Sequence, residues 1–285
     1  MAQTVKIISD STCDLSKDLL EKYDISILPL HILLGETEYR DGVDIPPEEI
    51  FRWSDENKTT PKTSAPSMTE AMEVMKPFLD EGREIICFSI SDSMSTSGNV
   101  MRLAAEELEA SDKVTVINSA NLSTGIGLQV IQAALLSAEG KTRAQITAAI
   151  EEIRPRVRAS FTVDTLTYLY RGGRCNAVAA LAGTMLKLHP RIVVEDGAMD
   201  ASKKYRGKLS SVILSYTKDM EDDLKNAVPD RVFITHSGCD REIVESVRSY
   251  LESLGIFNEI LETRAGGVIS SHCGPGTLGV LFIEK

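Results

Sequence analysis

At 285 residues, with 42% hydrophobic and 26% charged residues, the chain is long enough to bury a large core and to form two domains. Its net charge of -11 argues against a nucleic-acid binder, which needs a basic face, and no apolar run approaches the roughly 18 residues of a membrane-spanning helix. The opening Met-Ala-Gln-Thr-Val-Lys lacks the apolar core of a secretory signal, and the five cysteines (Cys13, Cys87, Cys175, Cys239, Cys273) contain no CxxC pair. A cytoplasmic protein with free thiols is expected.

In chain order, Val5 to Ser9 reads as a buried strand, and Asp10-Ser11-Thr12-Cys13-Asp14 as a polar turn before a helix near Ser16 to Tyr23. Ile25 to Leu34 is expected as one apolar strand, Gly35 to Asp44 as a turn region, and Pro46 as the first turn of a short helix through Trp53. From Ser54 to Ser67 the chain is polar, and Pro61 and Pro66 bias it to an extended form. That stretch is either a linker or a loop that brings hydroxyls, Thr63 among them, to a cleft.

A helix over Thr69 to Gly82 leads to a strand at Ile85 to Ser89, then to a loop crowded with Ser91, Ser93, Ser95, Thr96 and Ser97. A helix follows, with an apolar stripe at Val100, Leu103, Ala104 and Leu108. A strand feeding a helix N-terminus is suited to an anion, because the first N–H groups lack intrahelical partners and hydroxyls add further donors. Ordinary helix capping explains the same serines.

Val114 to Ile117 is a short strand, Ser119 to Thr124 another hydroxyl loop, Gly125 to Ala138 an apolar helix, and Arg143 to Val157 an amphipathic helix interrupted by Pro155. Three strand-loop-helix units predict an N-terminal domain, residues 1–156, with a mostly parallel sheet, flanking helices and a site at the strands' C-terminal ends.

Residues 157–285 read as a second α/β domain. It has strands at Ala159 to Val163, Arg231 to Thr235, Glu259 to Arg264 and Leu278 to Ile283, and a hairpin around Asp196-Gly197. Helices are expected at Asp164 to Arg171, Ala177 to Leu188, Lys208 to Ala227 and Glu242 to Leu254.

A literal GxGxxG at Gly274 to Gly279 leads into a strand instead of a helix, so it is not a dinucleotide loop; no Walker GxxxxGK[ST] or GxSxG is present. These glycines predict a tight loop with His272 at its mouth, where a satisfied imidazole and a ligand contact are both open readings. His236 with Cys239, and His272 with Cys273, match no recognised structural zinc spacing, and no metal or cofactor is expected.

Several segments together resemble the DegV family. They are Asp10 to Asp14, Thr63-Ser64-Ala65-Pro66-Ser67, the run from Ile90 and Ser91 through Ser95 to Arg102-Leu103-Ala104-Ala105-Glu106, Tyr168 to Arg174, and His272 to Gly279. The resemblance covers essentially the whole chain. It implies a two-domain α/β protein, with no catalytic machinery of its own, that binds a long-chain fatty acid between the domains and presents the carboxylate to a fatty acid kinase. It also implies transient contact with a membrane surface during lipid exchange. By position, Thr63 and Ser95 would hydrogen-bond the carboxylate, His272 would share their polar network, and Arg174 and Arg206 would dock the kinase. Where the family usually has glycine after the serine matching Ser95 and an aromatic two residues further on, this chain has Thr96 and Gly98, and where the family commonly has lysine before proline, it has His189 before Pro190. The alternatives are an enzyme acting on a small carboxylated or phosphorylated metabolite through the same anion site, with His272 as acid or base, and a structural or regulatory protein whose hydroxyls only cap helices.

Overall fold

A strand buried at every position belongs inside a sheet covered on both faces, and Val5–Asp10 (β1) is such a strand. In the computed structural model, which describes residues 5–175 and 188–285, β1 pairs in parallel with Ile25–Leu28 (β2) and with Glu84–Ser89 (β6). Val114–Asn118 (β7) completes a four-stranded parallel sheet in the order β2-β1-β6-β7.

The single strand expected from Ile25 to Leu34 is two. Pro29 has no N–H to continue the ladder, and beyond it His31–Leu34 (β3) leaves for a separate antiparallel sheet of order β4-β3-β5. Its partners are Thr37–Arg40 (β4), within the expected turn region, and Lys62–Ser64 (β5), which places Thr63 opposite Ile32. The proline-biased segment is therefore a strand over these residues. Helix α2 (Pro47–Asn57) has Pro47 in its first turn and runs a full turn past Trp53. Lys17–Lys22 (α1) and Met68–Asp80 (α3) stand close to expectation, and α3 starts with a capping box between Ser67 and Glu70.

Helix α4 (Ser97–Glu107) is turned relative to the expected stripe. Met101, Ala104 and Ala105 are buried, whereas Leu103 is 45% exposed. The reason is close packing: Gly98 lies so near Ser89 Oγ that a Cβ there would come within 2.6 Å of it, and small residues face the sheet. Thr124–Ala138 (α5) is apolar and buried nearly all round because it has a sheet on either side. It packs on β1 and β6, and on Val157–Thr162 (β8) and Thr277–Ile283 (β13) of a second sheet. Arg143–Ile153 (α6) stops in a 3-10 turn at Arg154–Arg156 instead of continuing through Pro155.

The second sheet has six strands in the order β10-β9-β8-β13-β11-β12. Leu188–Glu195 (β9) and Ala198–Arg206 (β10) form the hairpin, longer than the sequence suggested, around Asp196 and Gly197, both at positive φ as a type I′ turn requires. Arg231–Ser237 (β11) pairs in parallel with Glu259–Arg264 (β12). The helix expected at Ala177 to Leu188 lies outside the described residues, except that Leu188 opens β9. Thr167–Gly172 (α7) is shorter than expected; Lys208 to Ala227 divides into Leu209–Lys218 (α8) and Glu221–Lys225 (α9); Arg241–Leu254 is α10.

One helix was not foreseen. Gly267–Cys273 (α11) puts His272 in a last helical turn, not at the mouth of a loop; the tight glycine turn follows it, with Gly274 and Gly276 at positive φ. The segment opens on Gly266 and Gly267, which sequence reading assigns to loops. Although α11 comes late in the chain, it packs on α2, β3 and β5 as well as on α7.

The fold is α/β, with a parallel sheet and flanking helices in the first half and a mixed six-stranded sheet with helices in the second. One hydrophobic core containing Val5, Phe88, Ile126, Ile131, Phe161 and Leu281 runs through both. Among the described residues no helix is long and apolar enough to cross a membrane. Because α5 serves both sheets, Ile131→Ala is expected to cost about 2–5 kcal/mol and to lower the midpoint of a single urea transition. Two separate transitions in the variant would show that the halves do not share this core.

Candidate functional site

Which hydroxyls of the serine loop are free follows from their partners. Ser91 Oγ donates to the Gly197 carbonyl at 2.6 Å, and Ser93 Oγ donates to the same oxygen, so both tie the loop to the hairpin turn. Ser97 Oγ donates to Asp10 Oδ2 at 2.7 Å. Ser95 Oγ accepts from Ser97 N–H at 3.2 Å, and its own hydrogen has no acceptor among the described residues. The first turn of α4 is thus partly satisfied by Ser95, and Ser95 keeps one donor to offer.

Thr63 approaches from the other wall. Its Oγ1 lies 2.8 Å from His272 Nε2, joining β5 to α11 across 209 residues of sequence. His272 Nδ1 is buried, has no hydrogen-bond partner among the described residues, and rests against Gly172, where any side chain would collide with it. An unpaired buried N–H is less tolerated than an unmet lone pair. The ring proton therefore belongs on Nε2, which donates to Thr63 Oγ1 and frees the threonine O–H to donate elsewhere. Burial, reinforced by the positive charge of Arg174, pushes the imidazole pKa down to about 4, so the ring is neutral at pH 7.

Thr63, Ser95 and His272 all line one cavity of about 470 Å³, within the range typical of small-molecule sites. Its other lining includes Leu30, Ile90, Met94, Leu122, Met199 and Ile269, so a small polar set lies at an apolar hollow. A further void of about 20 Å³ shares Leu122, Ile269 and Cys273 with it and reaches Phe161 and Leu281 of the second sheet. Arg174 also lines the main cavity, with its guanidinium donating to Gly172 O at 2.7 Å. Arg206 does not: it is exposed opposite Leu188, eight residues along β10 from the hairpin turn, or about 27 Å at the rise of a strand. The structure therefore brings together Thr63, Ser95, His272 and Arg174, and leaves Arg206 apart.

Sequence reading missed Leu122, Met199 and Ile269 as lining residues. They sit in three distant segments with ordinary core periodicity, and only the packing of α5, the hairpin and α11 brings them together. It also gave no role to Asp10, Asp14 and Asp41, all buried beneath the site. His189, one of the three departures from the family pattern, is buried with Nδ1 3.0 Å from the Val163 carbonyl. No group of three or more His, Cys, Asp and Glu among the described residues could hold a metal ion. A larger groove of about 810 Å³ elsewhere mixes Arg154, Arg158 and Arg191 with Glu151, Glu195 and Asp223, a lining of both signs that selects no ligand charge.

The model of the DegV family, described as an uncharacterised protein family, matches residues 4–285. The chain belongs to the DegV family. A DegV domain-containing protein of Clostridium perfringens is 32% identical over 281 residues, 99% of each chain. Among solved structures, a DegV family protein from Thermus thermophilus, described by its fatty acid binding, superposes with a TM-score of 0.91 at 31% identity, covering 99% of this chain and 100% of that one. A fatty-acid-binding protein from Eubacterium ventriosum, described with stearic acid, gives 0.85 at 32% identity over 99% of this chain and 98% of that one.

The His272 environment has a measurable consequence. A ring that protonates near 6.5 in the unfolded chain but near 4 in the folded one makes the unfolded state bind more protons between those values, so stability falls as pH drops through that window. The loss in urea midpoint between pH 6.5 and 4 is expected to be shallower in His272→Gln than in the parent. Equal slopes would mean that the ring is as hydrated in the folded chain as in the unfolded one.

Proposed function

We propose that the protein binds one long-chain fatty acid between its two α/β domains, residues 1–156 and 157–285, and presents the carboxylate to a fatty acid kinase for acyl-phosphate formation. The observation that carries this reading is the pairing, in one cavity, of two hydroxyls with hydrogens to donate, Thr63 and Ser95, and an apolar hollow that continues toward Phe161 and Leu281. The fatty acid binding described for the Thermus neighbour and the stearic acid named for the Eubacterium neighbour support the same ligand class.

A sixteen-carbon tail offers on the order of 11 kcal/mol gross, at about 0.8 kcal/mol per buried methylene, before association costs. Neutral hydrogen bonds from Thr63 and Ser95, about 0.5–1.5 kcal/mol each, add little by comparison, and their work is to fix the head group. His272 keeps Thr63 aimed and stays neutral. A carboxylate held by neutral donors remains a better nucleophile toward phosphate than one clamped by a bidentate arginine.

Chemistry is left to the partner. His272 is too weak a base to serve at pH 7, and burial pushes the Cys273 thiol up to about 12. Arg174, exposed at the cavity, and Arg206, exposed at the end of the hairpin, supply positive charge for docking the kinase. Tyr170, 52% exposed beside Arg171, suits transient contact with a membrane surface. The unpaired thiols of Cys13, Cys87, Cys239 and Cys273 fit a cytoplasmic setting.

Replacing Ser95 or Thr63 by alanine is expected to slow kinase-dependent phosphorylation of bound palmitate by about tenfold while changing palmitate affinity less, because one head-group hydrogen bond is lost and the tail is untouched. Unchanged turnover in both variants would remove these residues from the head-group site.

A further inference from the structure

The motif Asp10 to Asp14 resembles the family but has no part in the site described above. Asp10, Asp14 and Asp41 are 0%, 6% and 1% exposed, and among the described residues none has a lysine or arginine partner. Carboxylates buried without a counter-ion cost stability unless several donors satisfy them. The donors here are particular. Asp10 Oδ2 accepts from Ile90 N–H at 2.9 Å and Ser97 Oγ at 2.7 Å, and its Oδ1 accepts from the backbone and hydroxyl of Thr12. Those bonds fix both ends of the loop that carries Ser95.

Asp14 and Asp41 hold the opposite wall. Asp14 Oδ1 accepts from Gly266 N–H at 2.8 Å and Asp14 Oδ2 from Ser123 Oγ. Asp41 Oδ1 accepts from Gly267 N–H at 2.7 Å and Asp41 Oδ2 from Ser11 Oγ at 2.7 Å. The two carboxylates flank the start of α11, whose last turn carries His272 against Thr63. Ser11, within the Asp10 to Asp14 turn, links the two arrangements. Gly267 allows the close approach: a Cβ there would meet Asp41, Ile32 and Ile50.

We propose that Asp10, Asp14 and Asp41 are positioning residues that set the two walls of the head-group site from one buried base, Asp10 through the Ser95 loop and Asp14 with Asp41 through the helix bearing His272. This rests on the head-group reading above. None of the three lines the cavity, so each acts through the residues that do. Burial raises the carboxyl pKa of all three, that of Asp41 to about 6, as expected of carboxylates satisfied only by neutral donors.

The test compares two probes of equal tail, palmitic acid and hexadecan-1-ol, on the parent protein and on Asp10→Asn, Asp41→Asn and the gentler Ser97→Ala and Ser123→Ala. The first pair replaces one accepting oxygen by an amide NH2 that cannot accept from the N–H and O–H donors facing it, and the second removes one donor each from Asp10 and Asp14. A positioning role predicts that the parent prefers the acid and that the variants lower this preference by about five- to tenfold while hexadecanol affinity stays within about threefold. If the aspartate variants do not fold, the serine variants carry the same comparison. A preference that survives in every folded variant, with both affinities falling together or not at all, overturns the proposal. A parent that binds acid and alcohol alike removes the head-group reading and this inference with it.

Discussion

The start of helix α11 is seated on carboxylates from the opposite half of the chain. Gly266 and Gly267 N–H donate to Asp14 and Asp41, and a turn and a half later His272 meets Thr63. The cavity exists because this short helix is clamped at both ends to the N-terminal half while β13 carries the chain back into the C-terminal sheet. The hairpin turn is tied in the same way, with Gly197 O accepting from Ser91 and Ser93. With α5 packed between the sheets, these contacts leave one hollow that neither sheet could enclose alone.

Within that hollow the polar groups divide the work. Ser91, Ser93 and Ser97 spend their hydrogens on the protein, whereas Ser95 and Thr63 keep theirs for the cavity. A net charge of -11 and three buried aspartates nearby make the surroundings unfavourable for an anion, and Arg174 is the cation among the described lining residues. A ligand whose binding free energy comes mainly from an apolar tail tolerates such surroundings; a small anion without a tail would depend on the head-group contacts alone.

Much of this was legible in the sequence. The strand-loop-helix rhythm of the first half predicts the parallel sheet, and polar clustering marks the hydroxyl-rich segments around Thr63 and Ser95, although it is the family resemblance that singles out these two among their neighbours. What could not be read depends on distant partners. Pro29 divides one apolar run between two sheets, yet periodicity is the same on either side of it. Leu103 looked like core because leucine is apolar, but the close approach of α4 to β6 selects Met101 and the alanines. Helix α11 begins on two glycines, a poor local signal, and is stabilised by Asp14 and Asp41, which lie more than 200 residues earlier. The role of the Asp10 to Asp14 motif was hidden for the same reason, since its partners Ile90, Ser97, Ser123 and Gly266 have no local relation to it.

The most direct measurement is of what the protein carries. Protein purified from bacterial cells is denatured and extracted with organic solvent, and the released material is identified by mass spectrometry against a mock purification. A stoichiometric long-chain fatty acid is the expected result. A clean blank, together with no binding of added palmitate or oleate, would contradict a cavity built for an acyl chain.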